Sequence, residues 1–354
     1  MVGASAAAGL AWLARTGCTT TTDHHYVFPH EGGDVLDAEI AAARQVGLRF
    51  HPCRGSMDLG QSQGGLPPDH IVEDRDAALA ATAEAIDRYH DRAPDAMLRI
   101  AVAPCSPFSV TADLMREAAV LARDQGVRLH THLAETVEEE TFCRETFGCS
   151  PAEYVDGLGW LGEDVWLARC VHLDDKTVAR FAETGTGIAH CPTSNARLGA
   201  GIAPVRDLLA SGVPVGLGVD GPASNEEGSM AAELHAALVV ARLRGGPAAL
   251  TARQALALGT IGGARCLGRA DEIGSLEVGK LADIALWRVD TLPHAGIGDL
   301  VAALVLGSRP PLRLLLVNGD PVVEDDVLLT ADEATLAAAA ATAARRLLSH
   351  GQGR

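Results

Sequence analysis

Residues 111–135 read TADLMREAAVLARDQGVRLHTHLAE, and this stretch decides the fold. Apolar residues return at helical spacing from Thr111 to Gln125, Gly126 stops the run, and Arg128 to His132 is a short strand-like segment that closes on polar side chains. The same alternation extends in both directions. Strands are expected near Cys18 to Asp23, Leu48 to Arg54, Leu98 to Ala103, Val165 to His172, Gly187 to Cys191 and Val213 to Asp220. Helical patterns lie between them at Asp34 to Val46, Asp74 to His90 and Asp174 to Thr184, with Met230 to Arg244 after the last strand. With the quoted unit this makes seven βα units around a parallel sheet, one short of a closed eight-stranded barrel.

Outside this core the texture changes. Met1 to Arg15 is apolar, but no positive charge precedes it and it is far shorter than the ~20 residues that span a bilayer, so it reads as a helix. After a helix from Thr251 to Leu267 come GSLEVGKLADIALWRVD and LLLVNGDPVV, short strands with an Asn318-Gly319 hairpin signal. Thr330 and Glu333 stand at capping-box spacing before an Ala-rich terminal helix that runs to Leu348. The expected division is a barrel over 1–267 and a β-appendage with its helix over 268–354.

The 354 residues hold 29 Lys and Arg against 46 Asp and Glu, a formal charge of −17. Such a surface repels polyphosphate backbones and anionic membranes, so a nucleic-acid polymer or a membrane is excluded as partner and a small molecule is expected. Eight scattered cysteines without a C-x-x-C pair read as buried thiols of a reducing, cytoplasmic compartment.

Polar residues recur where the strands end, the face that carries the active site in a parallel barrel. His132 closes one strand and Glu135 follows three residues later, so an imidazole and a carboxylate can converge on one metal-bound water. Asp220 closes the last strand. Arg54 ends another and precedes a Gly-rich segment, Gly60 to Pro68; it reads as a donor for a ligand carbonyl or as a surface ion pair. Cys105 and Ser106, at a further strand end, are candidates to line the pocket, and the acidic run Glu138 to Glu140 reads as a solvated helix face.

HTHLAE, AHCPTSN (Ala189 to Asn195), GVDG around Asp220 and GSLEVGKLAD (Gly274 to Asp283) occur in this order over nearly the whole chain. The sequence thereby resembles the amidohydrolase superfamily, in its branch of metal-dependent nucleobase and triazine aminohydrolases. RGSMDLGQSQGGLPPD (Arg54 to Asp69), APCSPFSV (Ala103 to Val110) and GWLGEDVWLA (Gly159 to Ala168) look most like the 8-oxoguanine deaminases of that branch. The resemblance implies an α/β fold, a TIM-type (β/α)8 barrel lacking its first strand, with a truncated C-terminal β-appendage and a terminal helix. It implies a divalent metal, zinc, held by His132 and Asp220, with Glu135 moving protons. The reaction implied is hydrolysis of 8-oxoguanine to urate and ammonia, with guanine, pterins and hydroxy-s-triazines as alternative substrates and a homo-oligomer as the expected assembly.

Two departures qualify this. The H-x-H motif that gives the family two further ligands has no counterpart here, and the chain opens where the helix after that motif's strand should be; a fragment of a longer product or a mis-started frame is the expectation. His24 and His25 cannot both replace the motif, because neighbours on a strand face opposite ways. The family's catalytic His position is held by Arg169, which is always charged and cannot exchange a proton. His172, an odd step beyond it, should face away from the lumen and is the weaker catalytic candidate. A remnant that binds a purine or a partner chain without turnover is the competing expectation.

Overall fold

The computed structural model describes residues 1–29 and 33–351. Helix α1 (Val2–Arg15) leads to two short strands, β1 (Thr20–Thr21) and β2 (His24–His25). Helix α2 (Val35–Val46) follows, then β3 (Arg49–Phe50) and β4 (Cys53–Ser56). Four helix-to-strand steps continue the pattern: α3 (Arg75–Tyr89) to β5 (Ala101–Pro104), α4 (Ala112–Gln125) to β6 (Arg128–Leu133), α5 and α6 (Val137–Phe147, Pro151–Gly157) to β7 (Val165–Arg169), and α7 (Asp175–Thr184) to β8 (Gly187–His190). Then come α8 (Pro192–Leu198), α9 (Val205–Ala210), β9 (Val215–Leu217) and α10 (Met230–Gly245). A mixed helical stretch carries α11 (Ala252–Ala257) and α12 (Gly263–Cys266), and the rest is β10 (Ile284–Trp287), α13 (Leu300–Leu306), β11 (Leu312–Val317), β12 (Asp320–Glu324), β13 (Val327–Leu328) and α14 (Glu333–Gly351).

Helix boundaries follow local chemistry. Asp34, Thr111 and Asp174 accept the N–H three residues on at the starts of α2, α4 and α7, and Gly47, Gly126 and Gly185 close the same helices in the left-handed conformation. The strands β2, β4, β5, β6, β7, β8 and β9 form one curled parallel sheet in that order, with helices packed outside: a half-barrel of the TIM type. The main core, with Phe50, Leu114, Met115, Trp160 and Phe181, lies between sheet and helices. A second cluster of Cys53, Ala101, Ala103, Trp166, Cys266 and Leu267 covers the other face. Its small residues let α12 come close: a Cβ on Gly187 would stand 3.1 Å from the Cys266 sulfur.

Some boundaries differ from the sequence expectation. The segment Cys18 to Asp23 forms not one strand but the end of a broken pair: Thr20–Thr21 joins Arg49–Phe50, and His24–His25 joins Cys53 and Arg54. Pro52, which has no N–H to give a ladder, interrupts Leu48 to Arg54. The strand expected to reach His172 ends at Arg169, where positive φ at Arg169 and Cys170 turns the chain. Asn318 and Gly319, both at positive φ, make the anticipated hairpin of the four-stranded antiparallel sheet β10-β11-β12-β13. The capping box at Thr330 is not made: Thr330 donates to Val46 O, and Asp332 accepts Thr335 N–H instead. Among the described residues no helix is long and apolar enough to cross a membrane, and the eight cysteines are all free.

Candidate active site

Three segments meet at the C-terminal end of the sheet, and each leaves its strand through a residue in the left-handed region: Ala134 after β6, Arg169 and Cys170 at β7, Asp220 after β9. For residues with a Cβ this backbone is strained, and such strain collects where a structure holds side chains in special directions. At Arg169 the result is decisive. Strand alternation would aim it away from Ala168 and the inner face, but φ +78° swings the guanidinium across the strand ends.

There Arg169 donates to Asp220 Oδ2 and to Ser194 Oγ, and its Nε stands 3.4 Å from Glu135 Oε1. Asp220 Oδ2 also accepts from Ser194 Oγ at 2.6 Å and from Ser224 Oγ. Burial works to raise the Asp220 pKa, but the Arg169 charge and the two hydroxyls outweigh it and hold the carboxyl down at about 2. Asn225 braces the following loop by donating to Val219 O and to Glu233, both at 2.8 Å.

The imidazoles lie beside this charge cluster. His132 Nδ1 is 2.9 Å from Cys105 O and His24 Nε2 is 2.8 Å from Ala103 O. Carbonyls only accept, so those nitrogens carry the protons, and His132 Nε2 and His24 Nδ1 keep their lone pairs. The two rings stack with centroids 4.8 Å apart, and Tyr26 meets the His24 ring edge-on at 5.2 Å. Burial and the neighbouring imidazoles push the His24 pKa far down, burial and Arg169 lower that of His132, and His130 falls to about 3. His24 Nδ1 is buried and has no partner.

The remaining candidates are placed as follows. Arg54 is buried in a bidentate pair with Glu73, at 2.8 and 2.6 Å, with its guanidinium 3.6 Å over the Phe28 ring. Cys105 is a buried thiol pushed up to about 11 by burial, and Ser106 Oγ sits 3.3 Å from Ser109 Oγ. His172 lies beyond the strand with Nε2 2.9 Å from Ala200 O. His24 and His25 do take opposite faces. Glu139 corrects the reading of a solvated acidic run: it is 1% exposed and accepts the N–H groups of Ala134 and Glu135, both at 2.9 Å, which fixes the strained turn that carries Glu135. Tyr26 and Glu139 were missed from sequence; the aromatic directly after the His pair was the available sign for the first, while nothing local separates Glu139 from Glu138 and Glu140.

The donor types of His132, His24 and Asp220 suit a divalent metal, but their arrangement does not. Among the described residues these groups do not bring three ligand atoms within mutual reach, and Asp220 Oδ2 already receives three donors, one of them a permanent cation.

Residues 3–322 match the model of the Amidohydrolase family. The chain is 46% identical over 310 residues to 8-oxoguanine deaminase of Pseudomonas aeruginosa, covering 88% of this chain and 69% of that one. It is 39% identical to an isoxanthopterin deaminase from an unknown prokaryotic organism (92% and 71% covered) and 36% identical to hydroxydechloroatrazine ethylaminohydrolase of Pseudomonas sp. strain ADP (97% and 72%). Among solved structures, atrazine chlorohydrolase of Arthrobacter aurescens TC1 complexed with zinc superposes with a TM-score of 0.89 at 36% identity, covering 94% of this chain and 75% of that one. An adenosine deaminase from Xanthomonas campestris with bound zinc gives 0.87 at 26% identity (98% and 75%).

Proposed function

The chain belongs to the amidohydrolase family and is by class a metal-dependent aminohydrolase, and from that premise we propose that it is a hydrolytic deaminase of a nucleobase-like ring, with 8-oxoguanine as its substrate. The observation that carries the reading is the gathering of Glu135, Asp220 and the half-buried His132, its pKa lowered, around one strand-end centre. In the overall reaction water adds to the amidine carbon bearing the amine, and the amine leaves as ammonia. Glu135 takes the proton of the attacking water and delivers it to the adjacent ring nitrogen; it then takes the proton of the new hydroxyl and hands it to the departing amine, so that the carbonyl forms as ammonia leaves. Glu73 and Phe28 fix the plane of the Arg54 guanidinium, and a fixed plane of donors suits a purine carbonyl. Tyr26, its hydroxyl pushed up to about 12 mainly by burial, stays a neutral group beside the site.

Arg169 has no proton to exchange, so it serves as the charge partner of Asp220 and Glu135 and limits turnover. That pair supports a second reading, in which the chain binds a purine without turning it over. Ammonia release separates the two, measured with added zinc on 8-oxoguanine, isoxanthopterin and a hydroxy-s-triazine. Preference for 8-oxoguanine, with Arg169→His faster than its parent by ~10² to 10⁴ and Glu135→Gln abolishing the gain, is the expected result. Calorimetric binding of 8-oxoguanine without ammonia from either protein overturns the deaminase reading in favour of the second.

A further inference from the structure

Strand β2 has an outer face as well as an inner one. Asp23 and His25, two residues apart, share the side opposite His24, and Glu39 of α2 comes up beneath them. One ligand atom from each lies within 4.8 Å of the others, the one such trio among the described residues. Glu39 is 4% exposed; its Oε1 is 2.5 Å from His25 Nδ1, while Oε2 is buried and without any hydrogen-bond partner. A carboxylate oxygen left dry and unpaired is costly, so its neighbourhood calls for a donor or a cation. Asp23 is exposed at the rim of the sheet and leaves the trio open to solvent from one side.

The proton arrangement explains why this trio, unlike the inner residues, can change partners. His25 Nε2 is 2.8 Å from Val27 O and therefore carries a proton, which leaves Nδ1 as the side that faces Glu39. Burial works to lower the His25 pKa, but the Glu39 hydrogen bond and charge, the Val27 carbonyl and Asp23 together raise it. Burial and the Glu39 charge raise the Asp23 carboxyl pKa to about 7, against the lowering by His25, so near neutrality the trio holds exchangeable protons on both the imidazole and Asp23. Loss of the Nδ1 proton would turn the trio into one imidazole nitrogen and two carboxylates, a mixed donor set suited to a divalent first-row ion with room for water.

We propose that Asp23, His25 and Glu39 form a divalent-cation site on the outer face of β2, separate from the strand-end centre and independent of the deaminase reading. The ion takes His25 Nδ1 and one oxygen from each carboxylate, relieves the unpaired Glu39 Oε2, and releases the imidazolium proton to solvent. The test is equilibrium dialysis of the metal-stripped full chain against ZnCl2 or MnCl2, with calorimetry in two buffers to count protons. About one ion per chain should bind with release of at least one proton near neutral pH, from His25 and in part from Asp23. His25→Asn, Asp23→Asn and Glu39→Gln should each weaken binding by about 10-fold or more, and Asp220→Asn should leave it intact. His25 and Asp23 lie at the edge of the sheet, so their variants keep the test valid if buried Glu39→Gln fails to fold. Absence of bound ion in the parent, binding undiminished in the three outer variants, or loss of the ion in Asp220→Asn overturns the site.

Discussion

The two faces of β2 solve the same electrostatic problem with different counter-ions. Near the inner side, the Asp220 and Glu135 carboxylates share the guanidinium of Arg169; on the outer side, Asp23 and Glu39 share the imidazolium of His25. Both are charge triads of two acids and one base. A guanidinium keeps its proton at any working pH, whereas an imidazolium surrenders its proton near neutrality. The inner triad is therefore a lock and the outer one an exchangeable pair, and the difference rests on a single side-chain type at each place.

The largest effect should come from breaking the lock. Arg169→Met removes the cation but leaves Asp220 partly buried, so unfolding free energy should fall by about 3 kcal/mol, read from the urea midpoint. Asp220→Asn in the same background should recover part of the loss, since the orphaned charge is then gone. The acid side carries a second signature. The folded Asp220 pKa, about 2, lies below the ~3.9 of an unfolded chain, so its contribution is complete above about pH 4 and is lost as pH falls toward 2. Arg169→Met should lack that acid-dependent component, and a variant that unfolds in parallel with its parent would break the contrast between the faces.

A smaller effect tests what aims Glu135 at Arg169. Burial pushes the Glu139 pKa up to about 7, against the two N–H groups it accepts from Glu135 and Ala134. Glu139→Gln keeps the shape but has one accepting oxygen in place of two, so one of the two N–H groups loses its partner at a cost of about 1–3 kcal/mol. The turn at Ala134 should loosen, and kcat for ammonia release should fall more than KM rises, because Glu139 positions Glu135 without touching the substrate. Unchanged kcat with lowered stability would reduce Glu139 to a purely structural support.

How much of this was readable in the chain can be traced residue by residue. His132 and Asp220 announced themselves because a short apolar run followed by a polar residue is the mark of a strand leaving a parallel sheet, and the opposite aims of His24 and His25 follow from strand alternation alone. The pairing of Arg169 with Asp220 was hidden. It depends on a left-handed backbone that nothing in LARCVHL favours, and on Ser194 and Asp220, 25 and 51 residues away. Glu39 was equally silent: on α2 it looks like any polar helix residue, and only the docking of that helix beneath β2 makes it buried. Long-range assembly, not local propensity, decided both.

The smallest effect is also the one that most sharpens the contrast. The folded His25 pKa lies above the unfolded value of ~6.5, so the folded chain holds more protons there; the stabilisation is complete below about pH 6.5 and is lost as pH rises through the folded pKa. In metal-free buffer His25→Asn should cost about 0.2–1 kcal/mol at pH 6, the range of a partly exposed ion pair, and the cost should shrink as the pH is raised above 6.5. For Arg169→Met the corresponding difference should stay level from about pH 7 to 9, because neither Arg169 nor Asp220 exchanges a proton in that interval and burial still lowers the His132 pKa once the Arg169 charge is gone. Urea melts of the three proteins across that range give one sloping and one flat difference if the two triads differ as described. Two flat lines would mean that His25 holds no exchangeable proton against Glu39, and the outer face would then be as locked as the inner one.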